Sequence, residues 1–344
     1  MERGGGGQLR GAGEEFATGE AHGSDPLAYK CIFISGLHLI QFIRDIFETA
    51  QATRRPVVSF EFFPTKTDEG ERALLEKTIP ALRQLRPDFC SVTYGAGGGT
   101  REKTLMIVDR IQREQQITAM AHLTCVNSTI DETCAVLEQT RALGIKNVLA
   151  LRGDPPNVAT EFVKADGGFE YSYQLVQRIR ECDAFSIGVA GFPEGHIACR
   201  EGKRVDWQRL KAKIDHGADF VITQLFFDNR DYFALRDFLA AQGVTVPIVP
   251  GILPILSTSQ IKRFVTLCGA ELPAVLLSEL ERRGDDDEAV SQFGIEYATR
   301  QCDELLREGA PGLHFYTLNK ARSTTEVVKN LALERLVFSE TAVL

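Results

Sequence analysis

Several absences narrow what this chain can be. No apolar run approaches the ~18 residues that a membrane-spanning helix requires, so none is expected. Basic charge is in the minority: 39 Lys and Arg against 47 Asp and Glu leave a net charge of −8. A surface of that sign repels phosphate backbones and anionic headgroups, so neither nucleic acid nor membrane is expected as a partner. Of the eight cysteines, none forms a C-x-x-C pair and no two sit at structural-zinc spacing. Several lie in apolar runs, where a thiol packs as a small hydrophobe. This predicts reduced thiols and a cytoplasmic protein. His122 and His196 lack the H-E-x-x-H spacing of a metal pair. The run Asp285-Asp286-Asp287-Glu288 lacks the spaced ligands of a calcium loop and reads as a helix start, where negative charge suits the dipole. No metal is therefore expected. Internal repeats and an interdomain linker are also missing.

What is present is a globular composition, 44% apolar and 25% charged, in 344 residues. Residues 1–38 begin rich in Gly and Glu without periodicity. They are expected to be disordered, or to reflect a start codon placed too far upstream. The more apolar stretch from Leu27 to Leu39 fits a secretory signal poorly, because acidic residues precede it and no small-residue cleavage site follows. Residues 39–344 read as one domain. Leu39, Phe42, Ile43, Ile46 and Phe47 share a helical face, so an amphipathic helix precedes the first strand. Strand-like segments follow at 57–63, 89–94, 118–125, 147–153, 185–192, 219–227, 247–253 and 312–318. Helical patterns lie near 69–85, 101–114, 130–143, 172–182, 206–216, 230–241, 258–268, 288–308 and 323–335. Eight alternations predict an α/β fold of the (β/α)8 TIM-barrel class with an N-terminal extension and helix. The alternative is an open doubly wound sheet, which eight strands would twist strongly.

Active sites of such barrels lie at the C-terminal strand ends, and here those ends are polar. In V-V-S-F-E-F-F, Ser59 and Glu61 share one face with Val57 and Phe63, while Val58, Phe60 and Phe62 share the other. Glu61 is thereby expected inside the barrel mouth, where desolvation would raise its pKa and suit it to general acid work. A buried structural pair with Arg or Lys is the equal alternative. Thr93 and Tyr94 end the second strand, His122 and Thr124 lie on the third, Gln224 on the sixth, and Tyr316 to Asn319 end the eighth. Arg152-Gly153-Asp154 leaves the fourth strand: Gly153 permits close backbone approach to a ligand and Asp154 could stabilise a cation, or the segment is a plain turn. The 95–100 loop could present N–H groups to phosphate but matches neither G-x-G-x-x-G nor the P-loop. His122 and His196, taken singly, read as hydrogen-bonded structural residues. Asp206 and Lys213, seven apart around Trp207, read as one solvated helix face.

The motifs S-F-E-F-F-P (59–64), S-V-T-Y-G-A (91–96), H-L-T-C (122–125), A-L-R-G-D-P (150–155), T-Q-L-F-F-D (223–228), P-G-I-L-P (250–254) and H-F-Y-T-L-N (314–319) carry a resemblance. From about Val57 to Leu333 the chain resembles the catalytic domain of methylenetetrahydrofolate reductases, with the motifs in that family's order. The resemblance implies FAD as cofactor, NADH or NADPH as reductant, and 5,10-methylenetetrahydrofolate as the substrate reduced to 5-methyltetrahydrofolate. It also implies ping-pong turnover, a place in one-carbon metabolism and methionine synthesis, and a homo-oligomer, dimer or tetramer. Glu61 falls on the family's general acid and Asp154 on its second catalytic carboxylate. Thr93, Tyr94, Ala96, His122, Arg152, Gly153, Asp154, Tyr171, Ser172, Phe192, His196, Asp206, Arg209 and Lys213 fall on or beside FAD contacts. Gln224, Gln260, Phe264, Tyr316 and Lys320 fall on substrate contacts.

There are departures. Lys320 stands where the family usually has Arg, which keeps the charge but loses the bidentate fork for the folate tail. Ile197 and Ser172 replace a more usual Pro and Ala, and Phe192 a Tyr of some members. The regulatory domain of eukaryotic members is not expected, which points to the bacterial type and NADH. A flavin barrel acting on another substrate, and a pterin-binding methyltransferase barrel without flavin, are the alternatives.

Overall fold

Segments patterned for strand and helix alternate through the computed structural model, which describes residues 40–94, 101–153 and 162–333, all within the unit His38–Leu344. The extension 1–38, the loop carrying Ala96, Asp154 and the end of the expected last helix lie outside the described residues. In chain order the elements are α1 (Ile43–Thr53), β1 (Val57–Phe62), α2 (Asp68–Ala73), a π-helical turn (Leu74–Thr78), α3 (Ile79–Arg83), β2 (Phe89–Val92), α4 (Arg101–Arg110) with a second π-helical turn (Ile111–Gln115), β3 (Ala119–Thr124), α5 (Ile130–Ala142), β4 (Asn147–Leu151), α6 (Ser172–Glu181), β5 (Ser186–Gly191), α7 (Lys203–Asp215), β6 (Phe220–Leu225), α8 (Asn229–Ala240), β7 (Ile248–Ile252), α9 (Thr258–Cys268), α10 (Ala274–Arg283), α11 (Asp287–Arg307), β8 (Gly312–Tyr316) and α12 (Arg322–Asn330). The strands form a closed parallel barrel in sequence order. Closure is made by β8 on β1, in register from Val57↔Gly312 to Glu61↔Tyr316, which rules out the open sheet.

The side-chain alternation read in β1 is realised. Val58, Phe60 and Phe62 join the large cluster between barrel and helices, while Val57 points into the barrel with Phe89, Met120, Leu149, Phe220, Ile222 and Val249. Those inward residues lie towards the N-terminal strand ends, and α1 stoppers them. Ile43, Ile46, Phe47 and Ala50, spaced to share a helical face, are all buried in that cluster. Phe47 meets Phe220 at 5.6 Å and Phe89 at 6.3 Å between ring centroids. The N-terminus of α1 has no side-chain cap of its own. Its free N–H groups are met instead by strand residues: Ile43 N donates to Asn147 Oδ1 (2.8 Å) and Arg44 N to Ser186 Oγ (3.1 Å).

The acidic run starts a helix as expected, Asp286 Oδ1 accepting from Ala289 N of α11 at 3.0 Å. One helix went unanticipated. α10 buries only Leu276 and Leu280, while Val275 and Leu277 are exposed, which blurs the apolar period. Its punctuation was nonetheless present, with Pro273 before it and Gly284 after. Among the described residues no helix is long and apolar enough to cross a membrane.

Candidate active site

With α1 filling one end of the barrel, the open end is the other. A cavity of about 840 Å³ lies there, lined from the C-terminal ends of the strands and the loops beyond them. Glu61, 5% exposed, sits in its wall. Its Oε2 lies 3.4 Å from Nε2 of His122 on β3 and 3.4 Å from Nε2 of His314 on β8. His314 is tied in turn through Nδ1 to Ser59 Oγ at 2.8 Å. The backbone around Glu61 is fixed from β8: Thr317 Oγ1 donates to the Glu61 carbonyl at 2.6 Å. The Asn319 amide both accepts from Phe63 N (2.9 Å) and donates to Phe63 O (2.8 Å). Among the described residues no Arg or Lys lies within ion-pairing distance of Glu61, so the alternative of a structural pair with either is not realised; its neighbours are imidazoles.

Burial pushes His122 down to about 4, an effect that Glu61 opposes and His314 reinforces. His122 is therefore a neutral imidazole at pH 7. Neither its Nε2 nor the buried Thr124 Oγ1 has a hydrogen bond among the described residues. Nε2 of His122 is close to Glu61 but not in hydrogen-bonding geometry. Three cations, Arg152, Arg209 and Lys213, line the same space. Arg152 follows β4, and Lys213 of α7 donates to the Ala190 carbonyl. Burial pushes Lys213 down to about 8; Asp206 opposes this and Arg152 adds to it. Burial raises Asp206 in turn, against the pull of Lys213. Both line the cavity, so reading them as a solvated helix face was wrong. The one-face geometry was right, but the face is turned to the barrel mouth.

The remaining wall comes from Thr93 and Tyr94 after β2, Gly153, Tyr171 and Ser172 at the start of α6, Phe192 and His196 after β5, Arg209 of α7, Gln224 of β6, Phe264 of α9 and Tyr316 of β8. Gly153 has φ +85°, and a Cβ there would meet the Val126 side chain at 2.7 Å. Phe192 and His196 meet edge to face at 4.6 Å. Gln224 folds its Oε1 onto the Leu225 N–H. Tyr316 is pushed well up by burial. Its hydroxyl donates to the Thr223 carbonyl at 2.7 Å, across a gap that only a glycine at 251 leaves open. Two anticipated residues stand apart. Gln260 accepts from Leu256 N (2.8 Å) with its Nε2 buried and unpartnered, and Lys320 is exposed; neither lines the cavity. His314 was passed over in reading the motif, although its place two residues before Tyr316 on one strand puts both on the inward face.

A family model described as methylenetetrahydrofolate reductase matches residues 46–332. The chain belongs to this family. It is 40% identical over 307 residues to methylenetetrahydrofolate reductase (NADH) 1 of Arabidopsis thaliana, covering 86% of this chain and 51% of that protein. It is 37% identical over 275 residues to the 5,10-methylenetetrahydrofolate reductase of Escherichia coli (strain K12), covering 80% of this chain and 90% of that one. The chain thus spans about half the length of the plant reductase and nearly all of the bacterial one. Among solved structures, an uncharacterized Clostridium thermocellum protein that binds two copies of 5-methyl-5,6,7,8-tetrahydrofolic acid is 16% identical, with a TM-score of 0.55 over 85% of this chain and 98% of that one. At that identity the likeness is one of fold. The cavity of this family member holds a buried carboxyl beside two imidazoles, with aromatic and cationic side chains elsewhere in its lining.

Proposed function

We propose that this chain reduces 5,10-methylenetetrahydrofolate to 5-methyltetrahydrofolate with electrons from NADH or NADPH, carried by FAD. One observation carries the reading: Glu61, nearly closed off from water, lines the same cavity as Arg152, Lys213 and Tyr316. The cavity's polar groups suit a flavin dinucleotide. His122 Nε2 and Thr124 Oγ1 on β3 are buried without partners among the described residues, and burial and Arg152 disfavour the charge on Lys213, which a bound anion would restore. Arg152 and Lys213 would hold a diphosphate, with Arg209 and His196 beside them. His122, Thr93 and Tyr94 would meet the ring system, and the stacked Tyr171 and Tyr173 offer an exposed aromatic platform. Bound there, FAD supplies hydride carriage between the two substrates.

The chain's own residues supply the rest. The N10–methylene bond of the folate breaks as Glu61 donates its proton to N10, leaving a cationic N5-methylene group that accepts hydride at carbon. His122, uncharged at pH 7, leaves Glu61 as the acid at that point. Asp154 is assigned to cation stabilisation by its place in A-L-R-G-D-P. Gln224, Phe264 and Tyr316 would meet whichever substrate occupies the shared pocket, so turnover is ping-pong. Anaerobic stopped-flow tests this. Purified protein should be yellow, bleach with NADH or NADPH, and recover its colour when methylenetetrahydrofolate is added. Colourless protein, or reduced protein that the folate does not reoxidise, would refute the proposal.

A further inference from the structure

The cavity wall made by α9 is held differently from the others. Of its eleven residues only Thr258 and Ile261, both in the first half, are buried. The second half, which presents Phe264, Leu267 and Cys268 to the cavity, has no fully buried residue and is held by the half-buried Phe264, Val265 and Cys268 packing on the core. Elements with few buried contacts open at low free-energy cost. Where the chain leaves α9, the Glu271 N–H donates to Glu194 Oε1 at 2.9 Å. Glu194 belongs to the loop after β5, which forms the facing rim with Phe192, His196 and Ile197. Beside this bond Ile197 packs on Gly269, so closely that a Cβ at 269 would lie 3.2 Å from it. The base of that loop is fixed, since Trp207 Nε1 donates to the Phe192 carbonyl at 2.9 Å.

We propose that Glu194 is a positioning residue that latches the half-buried C-terminal end of α9 to the facing rim of the cavity mouth, setting how readily substrate enters and leaves. This rests on the proposed reductase reading only for what passes through the mouth. The latch is pH-dependent. Burial raises Glu194 from an ordinary 4.5 to about 7. The groups facing it are the Glu271 N–H, which opposes that rise, the carboxylates of Asp231 and Glu271, which add to it, Lys203, which opposes it, and the Cys268 thiol. Lys203 is itself paired with Asp231 at 3.2 Å. In an open state Glu194 would be solvated and would titrate near its ordinary value. A proton is therefore held more tightly in the closed state, and raising the pH from about 4.5 to about 7 favours opening, by up to about tenfold per unit, with the effect levelling off above 7.

Hydrogen exchange of the flavin-loaded protein, corrected for intrinsic rates, reads this directly and needs no activity. Wild type should lose protection over 258–271 between pH 6 and pH 8 while α5 and α8 do not. Glu194→Gln keeps an acceptor but cannot ionise, and should stay protected at both pH values. Glu194→Ala should be exposed at both, and should raise KM for the folate with little change in kcat. Equal, pH-independent protection of 258–271 in wild type and Glu194→Ala would overturn the latch even in a fully active reductase. If the latch behaves as described in a protein that does not reduce folate, the proposed activity fails and the latch stands.

Discussion

Glu61→Gln removes one ionisable proton and changes little else. Length and volume are preserved, and the backbone is held independently of the side chain by Thr317 and by pairing to Ser91 and Tyr316. At 5% exposure, water has little access to replace the lost acid. Of the two imidazoles 3.4 Å away, His122 is pushed down to about 4 by burial and is therefore a poor proton donor in its place at pH 7. A positioned general acid contributes about 10²–10⁴-fold, or about 3–5.5 kcal/mol at 1.36 kcal/mol per decade. The folate half-reaction should slow by that factor. Reduction of bound flavin by NADH or NADPH needs no proton at N10 and should keep its rate. Single-turnover stopped-flow, run separately for the two half-reactions, makes the comparison. A folate half-reaction at the wild-type rate would remove Glu61 from the acid role. Equal losses in both half-reactions would show that the side chain supports the architecture of the cavity rather than the chemistry.

Flavin affinity should fall as pH rises through and above 8, because Lys213 loses its charge from about 8 in the empty site and an anion bound beside it shifts that loss upward; fluorescence titration from pH 7 to 10 measures this, and a Lys213→Gln variant should show weaker binding with that step gone. Phe47→Ala removes the ring that plugs the barrel floor against Phe89 and Phe220 and should cost about 3–5 kcal/mol in urea unfolding, while leaving flavin affinity nearly unchanged in the folded fraction. Gly251→Ala places a Cβ 2.2 Å from the Thr223 carbonyl and 2.8 Å from the Tyr316 hydroxyl; it should displace Tyr316 and raise KM for the substrates, and unaltered kinetics would mean that Tyr316 does not touch them.

What could be read before the structure differs by the kind of physics involved. Closure follows only from the count of eight alternations, which favours a barrel over an open sheet. The inward side of β1 and the amphipathic helix before it follow from periodicity, because period two and period 3.6 are local properties of the chain. α10 escaped for the same reason: two exposed apolar residues, Val275 and Leu277, interrupted a local pattern whose buried part is only Leu276 and Leu280. The polar strand ends were legible as a site because a barrel brings all eight to one face. The solvated reading of Asp206 and Lys213 failed because helical spacing says which residues share a face but not which way that face turns.

The electrostatics of the site belongs to the part that spacing could not show. His122 and His314 lie on β3 and β8, far apart in sequence, and meet Glu61 only because the barrel closes. Read singly, His122 was a structural histidine. Placed 3.4 Å from a buried carboxyl with its own charge suppressed, it becomes a neutral neighbour that does not ion-pair with Glu61 at pH 7. That distinction separates a carboxyl ion-paired to a charged imidazole from one beside a neutral imidazole. It comes from closure and burial acting together, since an open sheet that left β1 and β8 unpaired would separate Glu61 from His314.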